Sequence, residues 1–278
     1  MAAEINFRSH YYDKVGFRCI NENKSIEALL NEKPVDPQKL LNFCRKFCVP
    51  SIHRHVVWKI LLGILPTYDA SIQRVEDDQK EQWKCLRNAL EIMRIVNETT
   101  PLPDAIVLMY LLGEGKLNLD IEQQLQEEEM QHLRSIASAF SEICNSEQEV
   151  YWMTRNFWKL LKGLPTDTSL MTKQMEDILD KEDHELYQHL IKVKAMSVLP
   201  VDTWFQRCFA DVLDTDALVR VWDRVVGGST KILPQVATAL LTSIRSSLMH
   251  HKTASDILQA IENVPKEASS AIISKTLA

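Results

Sequence analysis

The sequence predicts an all-α protein with no significant sheet, on three observations. Apolar residues recur at three- and four-residue spacing over most of the 278 residues. No alternation of apolar and polar residues is long enough for a strand, and Val225-Val226 and Ile232-Leu233 are too short. Glycine is scarce, 7 residues in the whole chain, which disfavours folds that spend glycine on hairpin turns, barrel corners and phosphate loops.

Each helix follows from local signals. Asp36 before Pro37 is an N-cap with proline at the first helical position, opening a helix from Gln38 to Phe47. Pro50 opens the next, Ser51 to Gly63, with Gly63 closing it and Pro66 beyond. Asp69 to Asp78 is polar and is expected to be a loop or weak helix. Lys80 to Val96 sets Trp83, Leu86, Leu90, Met93 and Val96 on one stripe, and Pro101 and Pro103 end it. Asp104 is expected to cap an apolar helix through Leu112. After the break at Gly113-Glu114-Gly115, the run Glu127-Glu128-Glu129 is expected to be solvated. Leu133, Ile136, Ala137, Phe140 and Ile143 then form a helical stripe. From Asn145 a second helical lobe is expected. Its helices are Glu147 to Leu161, Met171 to Leu179, His184 to Val193, Asp202 to Val212, Asp216 to Val226, Leu233 to Met249, Ser255 to Glu262 and Lys266 to Leu277.

Composition narrows the function. Lys and Arg number 32 against 38 Asp and Glu, a net charge of −6 and a pI near 5.8, so no general basic field exists to recruit nucleic acid or anionic lipid, although a local patch is compatible with these totals. The six cysteines are scattered and no apolar stretch follows a basic start, which predicts a reduced, intracellular protein. No apolar run is long enough to cross a membrane, so no direct membrane insertion is expected; the best candidate, Val56 to Leu65, is broken by Lys59.

Motif chemistry is sparse. His184 and His189 lie five apart, one residue off the spacing that puts two imidazoles on one helix face for zinc. Cys44 and Cys48 precede His53 and His55 at spacings unlike a zinc finger, and both cysteines are expected to be small buried hydrophobes. No phosphate-binding glycine loop and no serine nucleophile elbow occurs. Neither metal nor cofactor is expected.

Two blocks do carry a specific signal. The first is Val49-Pro50-Ser51-Ile52-His53-Arg54-His55-Val56-Val57-Trp58, running on to Leu61-Leu62-Gly63. The second is Trp204-Phe205, Phe209, then Arg220-Val221-Trp222-Asp223 and Gly227-Gly228. Together they resemble the signature of TBC domains, the Rab GTPase-activating fold, with Cys48 standing where that family prefers glycine. The resemblance implies a fold of two helical lobes, a TBC domain over 48–241 with the lobe boundary near 145, an N-terminal helical extension over 1–47, and C-terminal helices over 242–278 packing on the second lobe. It assigns Arg54, Trp58, Gly63, Trp204, Arg220, Trp222 and Asp223 to holding the fold. Four-residue spacing puts Arg54 and Trp58 on one helix face.

Catalysis in this family uses other residues. An arginine finger in Ile-x-x-Asp-x-x-Arg stabilises charge on the transferring phosphoryl group, and a glutamine finger in Tyr-x-Gln positions the attacking water; an arginine finger is worth about 10³–10⁵ in rate. Neither motif occurs in this sequence. From Leu65 to Gln82 the single arginine is Arg74, and the second position reads Asn97-Glu98-Thr99-Thr100-Pro101-Leu102-Pro103. Further agreement, in Tyr12 to Arg18, Gly63 to Pro66, Arg207 to Ala210 and Ser270 to Lys275, is with a finger-less branch of the family, the non-catalytic subunit of the tuberous sclerosis complex. That resemblance implies binding to the coiled coil of hamartin and, through it, to tuberin, whose own domain acts on Rheb and so restrains mTOR signalling. It implies a cytoplasmic protein recruited to lysosomal or other vesicle membranes through the complex. The alternative is an active GTPase-activating protein for a Rab-family GTPase, with Arg74 as its finger. The partner-binding face is not readable; the one pointer is the apolar C-terminal stretch with Ile257, Leu258, Ile261, Val264, Ala268, Ile272 and Ile273.

Overall fold

The computed structural model describes residues 20–164, 167–262 and 269–276, and among them every regular element is helical. Three helices come first: α1 (Ile20–Asn31), α2 (Pro37–Lys46) and α3 (Ser51–Leu61). The Asp36 carboxylate accepts from the Gln38 amide at 2.9 Å, so the α2 cap forms as its sequence requires. Ile26, Leu40, Phe43, Cys44, Val57 and Ile60 bury a small core among these helices. Trp58 points the other way, into the main core.

That main core is built on α4 (Ile72–Ile92), α5 (Leu102–Gly113), α6 (Ile121–Gln126), α7 (Glu128–Ile143) and α8 (Glu147–Gly163). Helix α5 is apolar nearly all round because it runs through the middle, packed by α4, α7 and α8. The remaining helices are α9 (Thr168–Glu182), α10 (His184–Lys192), α11 (Val201–Gln206), α12 (Thr215–Val226), α13 (Ile232–Ser243), α14 (Arg245–His250), α15 (Ala254–Glu262) and α16 (Ser269–Thr276). One buried cluster runs from Trp58 to Ile273 and crosses residue 145 without a break.

Several boundaries depart from the sequence reading. The polar segment 69–78 is a 3₁₀ turn (Asp69–Ser71) followed at once by α4, which begins at Ile72 rather than Lys80. Its first turns are held by local pairs, Gln73 with Asp77 and Arg74 with Asp78, which an apolar periodicity does not register. At the other end α4 stops at Ile92, so Met93 is an exposed cap residue rather than part of the core stripe. Asp104 does not cap α5: Pro101 does, and Asp104 pairs with Arg134 at 2.6 Å from the first turn.

The helix expected over Asp202 to Val212 is only Val201–Gln206, because Cys208, Phe209 and Asp211 take positive φ. That turn buries Trp204, Phe205 and Phe209 together, which a continuous helix would spread around its axis. The long helix expected over Leu233 to Met249 is two, α13 and α14, with Ile244 as the joint. There Arg245 turns to pair with Asp183 at 2.7 Å and with Glu185. Of the C-terminal stretch, Ile257, Ile261, Ile272 and Ile273 are buried and Leu258 half-buried, so it completes the core rather than presenting a strip; Val264 and Ala268 lie outside the described residues. Cys44 is buried, and burial pushes its thiol up to about 12, but Cys48 is only half-buried.

Candidate functional site

The two sequence blocks meet at one carboxylate. Asp223 on α12 is fully buried, and its oxygens accept from Arg54 Nε at 3.1 Å and Nη2 at 3.2 Å, from Trp58 Nε1 at 2.9 Å and from the Val49 amide at 2.9 Å. Arg54 Nη2 also donates to the Val49 carbonyl at 2.6 Å. Burial pushes the Asp223 carboxyl above the ordinary carboxylate range, and the Arg54 guanidinium with the Val49 and Trp58 N–H groups pulls the other way. A buried carboxylate is tolerated only when its lone pairs are met, and four donors meet them here.

Around this node the rings of Trp58, Phe140, Phe157 and Trp222 pack with centroids 4.6 to 6.3 Å apart, joining α3, α7, α8 and α12. Trp222 Nε1 donates to the Cys208 carbonyl at 2.9 Å, which fixes the turn after α11. One helix end away, α2 and α12 exchange arginines: Arg45 Nε donates to the Gly227 carbonyl at 2.7 Å, and Arg224 Nη1 to the Cys44 carbonyl at 2.9 Å. Each guanidinium thereby satisfies a carbonyl that the partner helix leaves open at its C-terminus. Gly227 is needed for this approach, since a Cβ there would lie 2.9 Å from the Cys44 Cβ. Trp204 is buried nearby, whereas Gly63, at φ +69, only closes α3. Arg220 stands apart from the node and donates to Ser274 Oγ at 3.0 Å. The sequence reading missed Arg45 and Arg224; their signal was a basic residue in the last turn of each helix.

The interval where a finger belongs looks different. Arg74 is 88% exposed in its side chain, and its nearest carboxylate is Asp78 at 3.9 Å on the next turn. It therefore faces solvent from the first turn of α4. The adjacent cleft of about 310 Å³ lies between α4 and α8 and is lined by Lys59, Leu65, Gln73, Glu76, Asp77 and Glu149, among others. Of its two lysines, Lys80 is exposed, and Lys59 is held by Glu149 at 2.7 Å, with His55 Nδ1 on the same carboxylate oxygen at 3.1 Å. Burial alone would raise the Glu149 carboxyl, but Lys59 and His55 outweigh it and leave the group below its ordinary value. At the second position, the Asn97 side chain is occupied by its own turn, accepting from the Thr99 amide at 2.9 Å and Thr99 Oγ1 at 2.7 Å.

The Rab-GTPase-TBC domain family matches residues 130–249. TBC1 domain family member 7 of Homo sapiens is 40% identical over 276 residues, spanning 99% of this chain and 94% of its own length. The chain belongs to the TBC domain family. The Xenopus tropicalis member 7 is 37% identical over the same shares of each chain. Two solved structures share the fold: the Ypt/Rab-GAP domain of Gyp1p (TM-score 0.56, 17% identity, 92% of this chain and 97% of that one) and the Chlamydomonas flagellar RabGAP TBC domain (0.58, 15%, 99% and 92%). The block from Val49 to Trp58 precedes the segment matched by the family, yet in this TBC domain it supplies all four of these donors to Asp223 inside that segment.

The outer face of α3 completes the picture of this TBC domain. While Arg54, Val57 and Trp58 face inward, Ile52 is 79% and Val56 43% exposed, one turn apart, and Phe47 at the end of α2 is 44% exposed. The four-residue spacing that put Arg54 on Trp58 also puts Ile52 on Val56, on the opposite side.

Proposed function

We propose that this TBC domain is a non-catalytic scaffold subunit of the tuberous sclerosis complex. It binds the hamartin coiled coil on the outer face of α3 and supports tuberin's action on Rheb, and hence the restraint of mTOR signalling. The observation that carries the reading is the finger interval. A GTPase-activating site needs a cation aimed at phosphate; here the only arginine of the interval is a solvated surface group, and the cleft beside it sets Glu76, Asp77 and Glu149 against two lysines, Lys59 paired with Glu149 and Lys80 in solvent. The exposed Ile52 and Val56 suit a partner helix, which lays apolar anchors at i and i+4 against such a strip. The likeness to member 7 over nearly the full chain supports the same reading.

The test has two arms. Single-turnover hydrolysis measured across Rab proteins is expected to show no acceleration; about a hundredfold or more, abolished by Arg74→Ala, makes this an active Rab GTPase activator instead. Co-purification with a hamartin coiled-coil fragment is expected, and Ile52→Asp with Val56→Asp is expected to abolish it at unchanged melting temperature. Capture that survives both substitutions removes α3 as the docking face.

A further inference from the structure

The chain is acidic overall, yet two of its longest acid-free stretches are brought together at one corner. Positions 186–201 and 224–255 contain no Asp or Glu. They meet where His189 Nε2 lies 3.1 Å from the Leu248 carbonyl and 3.0 Å from the His251 carbonyl, joining the C-terminal end of α10 to that of α14. Lys192 and Lys194 follow His189 by three and five residues and Lys252 follows His251 directly; all three are exposed, and among the described residues no carboxylate lies within ion-pair distance of any of them. His250 and His251 add further donors. Four acids bound the two stretches: Asp223 is buried, Glu185 pairs with Arg245, Asp202 lies in the first turn of α11, and Asp256, in the first turn of α15, is taken by Thr253 Oγ1 at 2.7 Å.

Two large apolar side chains stand among these lysines: Ile191 at 45% and Val198 at 43% exposure. They are not on a loose loop. Lys194 and Ala195 donate back to Ile191 and Leu190, Leu199 donates to Ala195, and Ala195 and Leu199 are buried beneath. Ile191 and Val198 are thus held outward by an ordered turn, with Lys192 and Lys194 between them in the chain.

We propose that this corner, Lys192, Lys194 and Lys252 with Ile191 and Val198, is a docking surface for an anionic phospholipid membrane. Charge complementarity selects the occupant: on a chain whose net charge is −6, unpaired lysines beside apolar tips match negative headgroups above acyl chains. Docking is peripheral; among the described residues no helix is long and apolar enough to cross a bilayer. The inference does not rest on the scaffold reading, which it leaves intact if it fails.

The full chain is sedimented with vesicles of phosphatidylcholine alone or with about a third phosphatidylserine. Binding is expected only with the anionic lipid and is expected to collapse at about 0.5 M NaCl, where screening is short-ranged. Lys192→Gln, Lys194→Gln and Lys252→Gln together are expected to weaken it by on the order of a hundredfold, about fivefold for each charge. The same change at Lys84, Lys116 and Lys173 is expected to matter far less, and Ile191→Ser with Val198→Ser is expected to cost on the order of tenfold at unchanged melting temperature. No binding to anionic vesicles, equal binding to neutral ones, or equal losses in the two lysine triples each overturn the proposal. The first of these leaves an acidic protein surface as the occupant.

Discussion

Asp223 and Arg74 are both charged residues in stretches that the TBC pattern makes prominent, and the fold treats them in opposite ways. Asp223 has lost all contact with water and has four donors in its place; Arg74 keeps its water and has one weak neighbour on its own helix. The difference is one of connection. Asp223 ties residues about 170 positions apart in sequence, α3 and the loop before it to α12, so it cannot change without the two halves of the packing losing each other. Nothing beyond the next turn of α4 depends on Arg74. A fold can shed the second kind of residue freely, and it keeps the first kind whether or not chemistry is performed.

The sharpest way to break this comparison is at its buried end. Asp223→Ala leaves the Arg54 guanidinium and the Trp58 and Val49 N–H groups buried without an acceptor. Removing one partner of such a network costs about 3–5 kcal/mol, to be read as a fall in the urea midpoint. A loss of under about 1 kcal/mol, the size of a surface ion pair, would mean that Asp223 is not the organising residue. Next is Gly227→Ala. Its φ of −67 suits alanine, so the close approach of Cys44, Arg45 and the Arg224 carbonyl is what opposes the methyl group, and overpacking there is expected to cost about 1–3 kcal/mol. Lowered stability without loss of the fold's far-UV signal is the outcome that separates a tight contact from a strained backbone.

Glu149→Gln tests the intermediate case, a half-sheltered group at the mouth of the cleft. Its folded pKa lies below its unfolded one, so its contribution is present at neutral pH and is lost as the pH falls through the folded value, below the ordinary glutamate range. The substitution is expected to cost about 1 kcal/mol at pH 7 and to flatten the acid limb of the stability curve, measured by melting temperature from pH 7 downward. The smallest effect is at the exposed end: Arg74→Ala is expected to leave melting temperature and Rab GTP hydrolysis unchanged. A measurable loss of hydrolysis would put Arg74 to work and erase the contrast.

The main features of the helical plan were legible because they rest on local chemistry: Asp36-Pro37 at the start of α2, Pro50 before α3, and the stripe through Phe140 in α7. The boundaries that moved are those where a local signal was absent or was overridden. Helix α4 begins early because i,i+4 polar pairs support it without an apolar face. The helix after Val201 stops early because three aromatic rings share one pocket. For the C-terminal isoleucines, periodicity shows an apolar face and never what covers it, so packing on the lobe and an exposed strip were both open; they are buried, and α12 and α13 pack on α16, which carries Ile272 and Ile273.

By itself the sequence determined the class of fold, the spacing that pairs Arg54 with Trp58, and the lack of a finger motif, because each is set by residue type and by separations of a few positions. Only the tertiary structure decided which carboxylate closes the node, that Arg45 and Arg224 trade carbonyls across two helix ends, which side of α3 remains in water, and that two acid-free stretches share a corner. Those facts depend on contacts between residues far apart in the chain, and burial is a property of the packed molecule rather than of any segment within it.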